Sequence, residues 1–138
     1  MSDTETMLTM LRSAVETRRS KISAALADLN KIVGEMSNAV TVVSDGRAKL
    51  VLQKLKSNQQ SSVYGLIFTA EEDETVIRIF EFSELGYPIT CFDSLERTSQ
   101  RAKMLRSVDE LRFEILPLLS EPASKLVRLL EYTSEPLH

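Results

Sequence analysis

Histidine, cysteine and tryptophan are almost missing from this 138-residue chain, which has one His, one Cys and no Trp. The only His is the last residue, so an internal Ser-His-Asp triad and a histidine-rich metal site are both excluded. A lone Cys91 cannot form an intramolecular disulfide. With no internal His to serve as its base, it reads as a small buried apolar residue rather than a nucleophile. Neither a G-x-G-x-x-G nor a P-loop pattern occurs, and no acidic run has the spacing of an EF-hand loop, so the sequence calls for no cofactor and no metal. No stretch approaches the roughly 18 apolar residues of a membrane span. The opening MSDTETMLTML lacks the basic start of a secretory signal, so the expected location is cytoplasmic, with Cys91 reduced.

What is present is ordinary for a folded globular protein: 43% hydrophobic and 27% charged residues. The length allows one domain with a helical extension. The formal charge of −3 is unevenly spread. Residues 1–60 hold nine basic and six acidic groups, and residues 61–138 hold eight and 14, giving +3 against −6.

Residues 1–36 read as an N-terminal heptad helix, capped at Asp3 and ending near Gly34. One seam position is filled by Leu8, Val15, Ile22, Leu29 and Met36, and the other by Leu11, Arg18, Ala25, Ile32 and Ala39. Four heptads of this kind satisfy the coiled-coil template, with Arg18 as the one charged residue in the seam. A helix of about 30 residues spans roughly 45 Å, long for a core of this size, so the stripe is expected to pair with a second copy of the chain. Leu8, Leu11, Val15, Arg18, Ile22, Leu29 and Ile32 are the expected oligomer interface. The alternative is a helix folded back on its own domain.

Residues 37–138 read as a single α+β domain, an antiparallel meander of about five strands over 39–92 followed by two or three helices over 94–132. Ala39–Val43 and Arg47–Gln53 are read as a hairpin about Asp45-Gly46, a dipeptide suited to a type I′ turn. Val63–Thr69 and Thr75–Phe82 flank the acidic tip Glu71–Glu74, with Phe68 expected opposite Ile77 and Leu66 opposite Ile79. Tyr87–Phe92 follows, starting near Pro88 or lying at an edge because proline cannot donate to a ladder. Ile67, Phe80 and Phe82 give the sheet a second apolar face, which calls for cover on both sides. Gly65 is expected to ease packing against Phe80.

A helix is expected to begin at Leu95, with a restart at the capping box Ser107-Val108-Asp109-Glu110. Met104, Val108, Leu111, Ile115 and Leu118 form its stripe. Pro117 should end or kink that helix, and Pro122 should occupy the first position of the last one. Residues 111–116 also alternate, which leaves a sixth strand open.

These features favour a non-enzymatic protein–protein interaction module, an adaptor, chaperone-like or immunity-type regulator acting as a homo-oligomer. The alternative is a nucleic-acid-associated regulator. It would use Arg12, Arg18, Arg19 and Lys21 on the helix and Arg47, Lys49, Lys54 and Lys56 on the second strand and the loop after it. No recognised nucleic-acid motif accompanies these residues, and aromatics are only 6% of the chain, too few for a base-stacking platform. Glu71, Glu72, Asp73 and Glu74 read as a solvated hairpin tip that could also meet a basic partner.

Overall fold

The computed structural model describes residues 2–57, 62–93 and 102–134. The order is α1 (Asp3–Val43), β1 (Ala48–Ser57), β2 (Ser62–Ala70), β3 (Asp73–Ser83), β4 (Gly86–Phe92), β5 (Lys103–Leu105), α2 (Val108–Ile115), α3 (Pro117–Ser120) and α4 (Lys125–Ser134). The five strands form one antiparallel sheet in the order β1-β2-β3-β4-β5. The protein is therefore an α+β meander led by a long helix.

α1 runs for 41 residues, about 62 Å at 1.5 Å per residue. Its cap is Ser2 rather than Asp3: the Ser2 hydroxyl accepts from the Glu5 amide at 3.2 Å, the S-x-x-E spacing of a capping box. Its far end corrects the sequence reading more strongly. Residues 39–43 are the last turns of the helix, not a strand, because Val40 continues the buried stripe of Met36. Asp45 and Gly46 do take positive φ values, +54° and +79°. They close a helix instead of a hairpin: Gly46 N–H donates to Thr41 O at 2.8 Å and Asp45 N–H to Val42 O at 3.2 Å, the paired bonds of a Schellman motif. Buried Ser44 ties this end to β1, its hydroxyl accepting from the Ala48 amide at 2.9 Å.

β1 lies at the sheet edge, and the Ser37 hydroxyl accepts from its Leu50 amide at 3.1 Å, fastening that edge to α1. The β2–β3 hairpin turns through Glu71-Glu72, since Ala70 pairs with Asp73. That connection sets Phe68 opposite Thr75 and Ile67 opposite Val76, two places from the expected register; an irregularity between Leu66 and Ile67 then brings Leu66 opposite Arg78. Pro88 sits in an interior strand, but before the β5 ladder begins at Ile89 and beside the irregularity between Phe82 and Ser83. The Tyr87–Pro88 peptide is cis.

The main core lies on one face of the sheet. Leu50, Leu66, Phe68, Phe80, Phe82, Ile89 and Cys91 meet Ala25, Leu29, Ile32, Met36 and Val40 of α1, together with Leu111, Ile115, Leu118 and Leu126 of the C-terminal helices. Burial of this kind, at roughly 25 cal/mol per Å² of apolar surface, is what holds the long helix down. The other face carries a smaller cluster of Val63, Ile79 and Phe92 with Leu55 and Val76, all of them strand residues. The described helices thus belong to one side only. Gly65 makes room for Leu55, not Phe80: a Cβ there would lie 2.9 Å from Leu55 Cδ1.

The C-terminal part departs from the sequence reading at its start. Lys103–Leu105 is a strand, so Met104 does not belong to the helical stripe. The expected helix start at Leu95 and the polar loop 58–61 lie outside the described residues. From Ser107 onward the capping box holds: its hydroxyl accepts from the Glu110 amide at 3.2 Å, while Glu110 Oε2 accepts from the Arg106 amide at 3.0 Å. Residues 111–115 are helix, which removes the sixth-strand alternative. α2 stops before Pro117, which opens α3. The last helix is capped by Ser124, whose hydroxyl accepts from the Val127 amide at 3.1 Å, leaving Pro122 in the preceding turn.

Candidate protein-interaction surface

The apolar stripe of α1 divides at about residue 24. Ala25, Leu29, Ile32, Met36 and Val40 are buried under the chain's own sheet. Leu29 and Ile32, expected in an intermolecular seam, are therefore core residues of a single chain. Arg18 and Ile22 are half-buried at the transition. Beyond them Leu8 is 46% exposed, Leu11 64% and Val15 41%, with Met7 and Met10 open beside them. Leu8, Leu11 and Val15 line a shallow groove along this half, with Arg12, Glu16 and Arg19 on its rim. Exposed apolar residues at a sustained helical spacing are what a helix partner requires.

The point where the domain meets the helix is sharply defined. The β3–β4 turn passes so close that a Cβ on Gly86, which has φ +88°, would lie 2.7 Å from the Lys21 carbonyl oxygen and 2.8 Å from Ala25 Cβ. One turn further on, Tyr87 donates its hydroxyl to Asp28 Oδ2 at 2.9 Å. Burial, reinforced by the hydrogen bond to Asp28 and its negative charge, holds the Tyr87 phenol well above its ordinary range. The domain thus grips α1 from Lys21 onward and leaves the preceding 18 residues outside its core.

The basic residues are not brought together. Arg12, Arg18, Arg19 and Lys21 lie on the first half of α1, whereas Arg47 and Lys49 follow its C-terminal end, about 33 Å further along the helix. Arg47 donates to the Thr133 carbonyl at 3.2 Å. Arg47, Lys49 and Glu71 line one small hollow, so the acidic tip and the basic strand start share a corner. Lys54 points to the opposite face of β1 from Lys49, because Leu50 and Leu52 between them belong to the α1-side core. The Lys56 side chain lies outside the described residues. Glu71, Glu72, Asp73 and Glu74 are all exposed, and Glu71 takes φ +56° in the turn.

A second apolar patch had no clear sign in the sequence. Met104 of β5 and Phe113 of α2, the latter 82% exposed, line a groove with Asp109, Glu110 and Glu114, where Lys103 pairs with Glu114 at 3.2 Å. The alternation of residues 111–116 leaves a strand open as an alternative; in the helix it sets Phe113 on the outer side. Cys91 is buried in the main core, and burial pushes its thiol up to about 12. Among the described residues, no group of three or more His, Cys, Asp or Glu side chains is placed to hold a metal ion, and no helix is long and apolar enough to cross a membrane.

In class, then, this is an α+β domain with a one-sided helical layer and a long helix that outreaches its sheet. No protein-family model matches the chain, and no curated protein or solved structure is significantly similar to it.

Proposed function

We propose that this protein is a protein–protein interaction module that acts as a homo-oligomer, with the first half of α1 as its association surface. The observation that carries this reading is the split stripe: one continuous helix whose apolar residues are buried from Ala25 and exposed at Leu8, Leu11 and Val15. A free helix of some 20 residues is marginal in water, and a row of apolar side chains on it favours a packed partner. The same arrangement suits an adaptor or chaperone-like role. Association through the helix leaves the Met104–Phe113 groove open for a second protein.

Sedimentation velocity across a concentration series tests the reading. The wild-type chain is expected to move from monomer towards a larger species as concentration rises. Leu11→Asp with Val15→Asp should remain monomeric while keeping its circular dichroism spectrum, since both residues are exposed in the single chain. A wild-type chain that stays monomeric to high concentration would contradict the proposal.

A further inference from the structure

We infer that the first half of α1 pairs antiparallel with the same segment of a second copy, forming a two-fold dimer whose sheets stand at opposite ends of the paired helices. The inference rests on the self-association reading above and adds orientation and register to it.

The stripe that carries Leu8, Leu11 and Val15 continues into Ala25 and Leu29, where the chain's own sheet occupies it. A parallel partner following that stripe would bring its α1 onto the face already covered by this sheet, and its sheet onto the face covered by this α1. The β3–β4 turn, with the Gly86 Cβ position 2.8 Å from Ala25 Cβ, leaves no space for a second helix from Ala25 onward. An antiparallel partner leaves the stripe at the other end, where α1 is bare.

Charge favours the same orientation. Asp3 and Glu5 lie at the start of the segment, and Arg18, Arg19 and Lys21 at its end. Antiparallel pairing sets the acids of each copy beside the bases of the other at both ends of the overlap, and it also opposes the two helix dipoles. Parallel pairing sets the basic block beside its own copy.

Matching one seam position to the other across a two-fold axis near Ser13 sets Leu11 against the partner's Val15, the Leu8 side chain along the stem of the partner's Arg18, and Glu5 beside the partner's Arg19. The partner's Thr4 then lies beside the half-buried Ile22, just before this chain's sheet takes over at Ala25. The overlap is 19 residues, about 28 Å, and it buries on the order of 1,000 Å² in total, the lower range for a specific interface, so the dimer should dissociate on dilution. Arg12 meets its own copy near the axis, so Arg12→Gln is expected to tighten association a few-fold.

Disulfide trapping in the full-length chain tests the arrangement, with wild type, whose only thiol is the buried Cys91, as the control. Leu8→Cys and Arg18→Cys variants are oxidised separately and as a mixture. A covalent dimer should form in the mixture at least tenfold faster than in either variant alone. Rapid cross-linking of Leu8→Cys with itself would show parallel pairing and overturn the inference while leaving self-association standing. A dimer in sedimentation with no cross-link in the mixture would also overturn the proposed register. Wild type that sediments only as monomer would remove both the inference and the reading beneath it.

Discussion

Residues 25–43 and residues 3–24 of α1 carry the same kind of apolar stripe on one uninterrupted helix, but their surroundings differ completely. In the second half the stripe meets Leu50, Phe68, Phe80 and Phe82 of the sheet. Ser37, Tyr87 and the Arg112–Glu35 pair at 3.5 Å tie the helix sides to β1, β4 and α2. In the first half Leu8, Leu11 and Val15 stay exposed among the described residues; order there comes from the Ser2 cap and from continuity with the anchored half. Amphipathic periodicity specifies that a face will be hidden. Whether the hiding surface belongs to the same chain depends on how far the sheet reaches, and here it reaches Lys21.

The contrast can be broken by truncating equivalent leucines. Leu29→Ala, in the fully buried half, should lower stability by about 3 kcal/mol through lost burial and the cavity left behind, measured by urea unfolding. Leu11→Ala, on the exposed half, should change unfolding of the dilute chain by less than about 0.5 kcal/mol. The next largest effect concerns the boundary between the halves. Gly86→Ala should cost about 2 kcal/mol, because its Cβ meets the Lys21 backbone and its φ is positive, and the melting temperature should fall accordingly. A smaller effect than that at Gly86 has the opposite sign. Gly34 is exposed on the anchored half, and a Cβ added to it would have nothing within 4 Å, so Gly34→Ala should stabilise by about 0.5–1 kcal/mol. A destabilising result there would show that the helix is not continuous through residue 34.

Much of the architecture was legible because local chemistry and tertiary placement agree. The heptad start, the strands around the acidic tip and the Ser107 capping box each depend on residues near one another in the chain. The reading failed where two structures share a local requirement. Asp45-Gly46 supplies positive φ, which both a type I′ hairpin and a Schellman cap need, and the β-branched run before it favours a strand. The choice was made by Val40, whose place in the main core lies four residues after Met36. Lys103–Leu105 was misread for a similar reason: Met104 is in phase with the α2 stripe, and only pairing with Ile89–Cys91 makes it a strand. In the candidate surface, the residues were legible and the division was not. No local signal marks the point at which Leu29 and Ile32 become core while Leu8 and Leu11 stay outside, because that point is set by the Gly86 turn, some 60 residues away in sequence.

Amide hydrogen exchange along α1 at low and high protein concentration separates a half anchored by its own sheet from a half covered only on association. Residues 25–43 should be protected equally at both concentrations, whereas residues 4–22 should exchange fast when dilute and become protected as concentration rises. Equal exchange of residues 4–22 at every concentration, in a chain whose second half stays protected, would contradict association through the first half of α1.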